Sequence, residues 1–192
     1  MLRGTCEVRT ESWAEGWGTI GWIMIAAEHL KRIASWSRDF NEREIEMARA
    51  GIVEKSFRAN EHICVRGDDF EYWTGVVSGL VRIGTVSRNG KAITFTGLTA
   101  GAWFGEGSVL KNEARRYDAV ALRDTRLALM ERATFMWLLE NSVAFNRYLV
   151  VLLNERLGQF MGFVEYGRML DATARLARCI ASLFNPILYP DG

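Results

Sequence analysis

The 192-residue sequence contains few of the residues that build metal and redox sites, with three cysteines and two histidines. Cys6, Cys64 and Cys179 are scattered and form no CxxC pair, so the ligands for a zinc ribbon or an iron–sulfur cluster are too few. We expect free thiols in a reducing cytoplasm. His29 falls on a predicted amphipathic helix and His62 in a predicted strand, and isolated histidines of this kind are weak candidates for haem ligands.

The sequence also lacks an excess of either charge and a long apolar run. Lys and Arg number 24 against 23 Asp and Glu, and this near-neutral balance argues against a nucleic-acid-binding surface over most of the molecule. The longest apolar run, "TIGWIMIAA" at 19–27, is shorter than the roughly 20 residues that cross a membrane. Acidic residues precede it where a secretory leader would carry basic ones, so we expect a cytoplasmic protein with no membrane partner.

The residues of an enzyme active site are equally scarce. Two histidines, one of them outside the predicted barrel, do not supply the three or more ligands of a cupin-like metal oxygenase. Cys64 and His62 face the same side of a strand, but no third group is evident that would orient them for nucleophilic catalysis. We therefore predict neither an enzyme nor a resident cofactor.

The chain divides into three predicted regions. Residues 1–51 comprise an N-terminal extension without clear periodicity, followed by one or two amphipathic helices that end at Gly51. Residues 52–131 contain short alternating runs between glycines, which is typical of an antiparallel barrel or sandwich. Within them, Asn89-Gly90 predicts a two-residue hairpin turn.

The third region, residues 132–192, returns to a helical pattern. After a short helix, apolar residues at spacings of 4, 4, 3 and 4 form one stripe along about 36 Å of a predicted long helix. The stripe either packs on its own barrel or joins two copies in a parallel coiled coil, and the length of the helix favours a homodimer. The predicted interface residues are Leu149, Leu153, Leu157, Phe160 and Val164.

Three segments occur in an order that resembles the Crp/Fnr family of bacterial transcription regulators, over roughly residues 28–190. They are "RGDDFEYWTGVVSGLVRI", "SRNGKAITFTGLTAGAWFGEGSVL" and "LDATARLARCI". The resemblance implies an α+β fold, in which an antiparallel β-roll or double-stranded β-helix (a jelly-roll-like barrel) is flanked by N-terminal helices and a long C-terminal dimerisation helix. In the family a winged helix-turn-helix follows, and since the chain shows no such pattern up to "FNPILYPDG", we expect DNA binding only through a C-terminal domain that was truncated or lost.

Residues 105–117 contain the residue types that a cyclic-nucleotide site requires. The ring phosphate needs a cation and backbone N–H donors, the ribose hydroxyl needs an acceptor, and close approach of the backbone favours glycine. Gly105, Glu106, Gly107 and Ser108 suit the acceptor and donor roles, and Arg115 or Arg116 supplies the charge. The resemblance places Arg115 at the family's phosphate-binding arginine.

Two departures from the family pattern concern the ligand. Members that respond to nucleotides read Arg-Ser-Ala or Arg-Thr-Ala where this chain has Arg115-Arg116-Tyr117, and the tyrosine ring fills the phosphate position unless it points outward. Phe160 and Met161 stand where cyclic AMP-responsive members have a Thr-Ser pair, and they cannot accept a hydrogen bond from adenine. Three states stay open: cyclic AMP, another small anionic or apolar effector, or an empty pocket with a Glu106–Arg115 ion pair. The departures favour an effector other than cyclic AMP.

The predicted function is the effector-sensing and dimerisation part of a Crp/Fnr-type DNA-binding transcription regulator. A small-molecule effector would bind between the barrel and the long helix and change how two such helices pack. The alternative is a stand-alone, cyclic-nucleotide-binding-like module for ligand binding and oligomerisation that has no role on DNA.

Overall fold

Eight antiparallel strands form the middle of the part that the computed structural model describes, residues 25–87 and 89–190. The strands form two four-stranded sheets, with the orders β1-β8-β3-β6 and β2-β7-β4-β5. Their bounds are β1 Ile52–Phe57, β2 His62–Cys64, β3 Tyr72–Ser78, β4 Val81–Val86, β5 Ala92–Leu98, β6 Trp103–Phe104, β7 Asp118–Ala121 and β8 Thr125–Glu131. Antiparallel sheets between terminal helices confirm the predicted α+β, jelly-roll-like fold.

Helices lie before, within and after the strands. The bounds are α1 Ala27–Ile33, α2 Glu42–Ala50, α3 Glu106–Lys111, α4 Arg132–Asn141, α5 Val143–Met169 and α6 Ala172–Ser182. A reciprocal capping box fixes the start of α2, since the Asn41 side chain accepts from the Glu44 amide and the Glu44 carboxylate accepts from the Asn41 amide. Gly51 follows α2, as predicted. The predicted extension before residue 25 lies outside the described residues, as does Cys6.

The predicted hairpin joins β4 and β5, but its loop is longer than two residues. The last pair of the ladder is Val86 with Ala92, so the connection spans 87–91. Gly90 has a φ of 79°, a left-handed conformation that glycine adopts without steric cost. The hairpin leaves β5 at the edge of its sheet, next to the cavity described below.

An aromatic cluster joins the barrel to its helices. Trp36 packs on Trp73 and Trp103 with ring centroids 5.3 and 5.2 Å apart, and Phe145 at the start of α5 contacts Trp36 and Trp73 edge-on. The Trp103 indole donates to the carbonyl of Ile33 over 3.0 Å, which satisfies its N–H inside the core. The cluster fixes the direction in which α5 leaves the barrel.

The long helix α5 changes environment along its length. Ser142 caps its first turn by accepting from the Phe145 amide over 3.1 Å, and Leu149 and Leu152 are buried in the core of this chain. Leu149 was predicted in the dimer interface, and that assignment is wrong because α5 still lies against the aromatic core at this point. The other residues of the predicted stripe are exposed, namely Leu153, Leu157, Phe160 and Val164.

The chain after α5 folds back towards the barrel. Asp171 caps α6 by accepting from the Ala174 amide, and α6 itself has no buried residue. The following segment is anchored by Tyr189, which is buried and whose hydroxyl lies 2.7 Å from Thr96 Oγ1 and 2.9 Å from Gln159 Nε2. None of the described helices has the length and apolar character to span a bilayer.

Candidate functional site

Residues 105–117, here called the cassette, begin with a turn into α3, and the Arg115 side chain packs against that turn. Gly105 precedes α3 with a φ of 93°, and a Cβ at this position would stand 1.9 Å from Nη1 of Arg115. Both the left-handed backbone and the packed guanidinium require glycine here. Apart from its own neighbours in the helix, no described heavy atom lies within 4 Å of such a Cβ at Gly107, and Ser108 is half-buried on the same short helix.

Arg115 is buried, with only 1% of its surface exposed, and both its backbone and its side chain are in contact with neighbouring residues. Its backbone is fixed by Asp68, whose carbonyl accepts from the Arg115 amide over 2.9 Å. The guanidinium donates to the Tyr72 carbonyl and, over 3.3 Å, to the Tyr117 hydroxyl. It also lies over the rings of Phe70 and Tyr117, at 5.1 and 5.9 Å from their centroids. Its Nε has no hydrogen-bond partner within the described residues.

Glu106 pairs with an arginine that the sequence analysis did not select. Oε1 of Glu106 accepts from Nη1 of Arg156 on α5, and Nη2 of the same guanidinium donates to the Trp103 carbonyl. The alternative of a Glu106–Arg115 ion pair is therefore wrong, because the cation reaches Glu106 from the helix and not from the cassette. Arg156 lies four residues before Phe160, one helical turn away on the same face, and that spacing was the available signal.

The other oxygen of Glu106, Oε2, has no hydrogen-bond partner among the described residues. The side chain that carries it is buried. Together with Nε of Arg115, the site thus contains one buried acceptor and one buried donor that find no partner within residues 25–87 and 89–190. Unpaired buried polar atoms are costly and mark places where a ligand or a water can bind.

Tyr117 points into the site. Its ring packs against the core, its hydroxyl meets Arg115, and the same ring lines the cavity between barrel and helices. Burial raises the pKa of Tyr117 to about 12, which the nearby Arg115 only partly offsets, so the phenol is neutral at physiological pH. The outward orientation left open by the sequence does not occur.

Two further predicted residues lie away from the cavity. Arg116 is exposed and pairs with Glu113 over 2.7 Å, on the outside of the segment that precedes β7. Met161 is 62% exposed and does not line the cavity, whereas its neighbour Phe160 does. The structure therefore brings together Glu106, Arg115 and Tyr117, with Phe160 nearby, and separates Arg116 and Met161 from them.

A cavity of about 540 Å³ lies between the barrel and the last two helices. One side is formed by β4, β5 and Phe104, another by α5 and α6, and Leu188 and Tyr189 complete it. Tyr117 and Arg156 separate the cavity from Glu106 and Arg115, which do not line it. A volume of this size matches those of sites for small organic ligands.

The thiols of the described residues are unpaired and differ in exposure. Cys64 is buried near Arg115, and burial raises the pKa of its thiol to about 11, while Cys179 on α6 is exposed and lines the cavity. Across residues 25–87 and 89–190, no group of three or more His, Cys, Asp or Glu is arranged to hold a metal ion.

The family model of the cyclic nucleotide-binding domain matches residues 54–142. No curated protein sequence matches the chain. Among solved structures, a catabolite activator protein from Thermus thermophilus is 26% identical with a TM-score of 0.58, over 68% of this chain and 64% of that one. This chain thus matches less than two thirds of that protein.

Two kinase regulatory proteins share the fold at lower identity. The regulatory domain of protein kinase A from Toxoplasma gondii, crystallised with cyclic AMP, is 22% identical with a TM-score of 0.56, over 78% of this chain and 55% of that one. The regulatory subunit of a cyclic AMP-independent protein kinase A from Trypanosoma cruzi, bound to guanosine, is 19% identical with a TM-score of 0.53, over 66% and 48%. Residues 54–142 are therefore similar to cyclic nucleotide-binding domains, and the described fold resembles that of a catabolite activator protein.

Proposed function

We propose that this chain is the effector-sensing and dimerisation part of a Crp/Fnr-type transcription regulator, and that its effector is not cyclic AMP. The observation that carries the second statement is the inward position of Tyr117 against Arg115. A cyclic nucleotide bound as the family pattern implies would need the space and the guanidinium that this side chain uses.

The charges of the site support the same conclusion. The Arg115 guanidinium already donates to Tyr72 and Tyr117, and Oε1 of Glu106 is already paired with Arg156. A nucleotide would have to displace Tyr117 before its phosphate could reach Arg115. Breaking a buried, charge-assisted hydrogen bond costs roughly 1.5–3 kcal/mol, and this cost would be subtracted from the affinity. The guanosine-bound kinase subunit supports the view that this fold accepts ligands other than cyclic AMP.

The exposed apolar face of α5 supports a homodimer. Leu153, Leu157, Phe160 and Val164 are exposed at spacings of 4, 3 and 4, as in the seam of a coiled coil. The cavity lies beside this face, since Phe160 belongs to both. An effector in the cavity would thus contact the helix through which two copies associate, which links ligand binding to dimer geometry.

The likeness to the Thermus thermophilus catabolite activator protein supports a role in transcription, and the kinase regulatory proteins support the alternative of a ligand-binding module without DNA. The reading frame after residue 192 separates the two. A helix-turn-helix pattern there supports the regulator, and an immediate stop codon supports the module.

Calorimetry with cyclic AMP tests the effector statement. We expect no micromolar binding to the wild-type protein. Micromolar binding that is lost in Glu106→Ala would contradict the proposal, because it would place the nucleotide on the carboxylate that the family pattern assigns to the ribose. Micromolar binding that Glu106→Ala leaves unchanged would also contradict the effector statement, because cyclic AMP would then bind at another site of the protein.

A further inference from the structure

Aromatic side chains from two elements line the cavity. Phe95 comes from β5, and Phe160, Phe163 and Tyr166, each three residues apart, come from α5. Rings on two sides of a cavity stack favourably on a flat aromatic ligand, and they bury it without offering many hydrogen bonds. The body of the ligand is therefore expected to be planar and apolar.

The charges of the cavity are of one sign. The charged side chains among the described lining residues are Arg156 and Arg175, and no carboxylate lines the cavity with them. Both Nη atoms of Arg156 are engaged, by Glu106 and by the Trp103 carbonyl. Arg175, on α6, makes no ion pair and no side-chain hydrogen bond with the described residues. One guanidinium is thus available for a ligand.

We propose that the cavity binds a planar aromatic carboxylate, with the rings of the ligand between Phe95 and the α5 aromatics and its carboxylate on Arg175. This inference rests on the proposed function, in which the effector is not cyclic AMP. A guanidinium matches a carboxylate through two parallel hydrogen bonds. A phosphate dianion fits less well, because one available cation in a mostly apolar cavity would leave part of its charge desolvated and unpaired.

Binding in this manner connects three elements of the fold. Arg175 lies on α6, which has no buried residue of its own, while the ligand rings would contact β5 and α5. The carboxylate would therefore fasten α6 over the cavity. The chain segment after α5 is then the part of the molecule whose position responds to the ligand.

Naphthalene-1-carboxylate and its neutral analogue naphthalene-1-carboxamide test the inference, because the two probes have the same rings and differ in charge. We expect the wild-type protein to bind the carboxylate about tenfold more tightly than the carboxamide in calorimetry at pH 7. Arg175 is exposed, so the free energy of its hydrogen bonds to the carboxylate should lie near the low end of the usual range for charged groups. Arg175→Gln should remove this difference and leave the carboxamide affinity unchanged, which also reports that the variant is folded.

Arg168→Gln is the matched control, since it removes the same charge near the end of α5 from a residue that does not line the cavity. It should leave the tenfold preference intact, and Phe163→Ala should weaken both probes equally. The inference is overturned if neither probe binds, if both bind wild type equally, or if Arg175→Gln behaves like Arg168→Gln. None of these results bears on the calorimetry with cyclic AMP, so the proposed function fails or stands separately.

Discussion

Tyr117→Ala is expected to convert this domain into one that binds cyclic AMP. The substitution removes the ring that lies against Arg115 and restores the alanine of the family's nucleotide-responsive pattern. In the wild-type protein a nucleotide must first expel this ring. In the variant the guanidinium of Arg115 is exposed to the cavity from the start.

The magnitude follows from the contacts of Tyr117. Burial of an aromatic side chain stabilises it by roughly 1.5–3 kcal/mol, and a hydrogen bond to a charged group contributes roughly 1.5–3 kcal/mol. The ring is only partly buried and the bond is long, at 3.3 Å, so the lower end of each range applies. The cost of expelling the ring is then about 3 kcal/mol, which corresponds to an affinity gain on the order of 100-fold.

Calorimetry with cyclic AMP on wild type, Tyr117→Ala and Tyr117→Phe measures this gain, with circular dichroism to check that each protein is folded. Tyr117→Phe keeps the ring and loses only the hydroxyl, so its affinity should stay within about tenfold of wild type. A folded Tyr117→Ala that binds cyclic AMP no better than wild type would refute the reasoning. So would an equal gain in Tyr117→Phe, because the ring would then not be the obstacle.

Three further outcomes are expected. Gly105→Ala should lower the free energy of unfolding in urea by about 2 kcal/mol or more, through strain at a φ of 93° and the clash with Arg115, whereas Gly107→Ala should be neutral or slightly stabilising. Burial raises the pKa of the Cys64 thiol from 9.0 to about 11, so the folded protein holds this proton more tightly than the unfolded chain. The contribution of Cys64 to the free energy of unfolding is therefore fully present below pH 9 and falls by up to about 3 kcal/mol by pH 11. The free energy of unfolding of Cys64→Ala should decline less than that of wild type over this range. Leu157→Lys should shift sedimentation from dimer to monomer with an unchanged circular dichroism spectrum. Leu110→Lys, at an exposed leucine on α3, should stay dimeric, and a dimeric Leu157→Lys protein would show that α5 is not the interface.

Local signals in the sequence sufficed for the strands and helices, and the family resemblance supplied their arrangement into a jelly-roll-like fold. Strands between Ile52 and Glu131 follow from alternating runs separated by glycines, and the helices on either side follow from apolar residues at helical spacing. Asp171 caps α6 through the Ala174 amide, a partner that is only three residues away. In each case the residues that decide the structure are neighbours in the chain.

The candidate site depends on contacts between distant residues, and these the sequence did not determine. Arg156 reaches Glu106 across 50 positions, and only the angle at which α5 leaves the aromatic core brings the two side chains together. The same angle decides that Leu149 is buried while Leu157 is exposed, although both belong to one apolar stripe. Tyr117 could face either way along its segment until packing against Arg115 fixed its direction. Residue types thus identified the kind of site, and packing decided which charges and which space are left for a ligand.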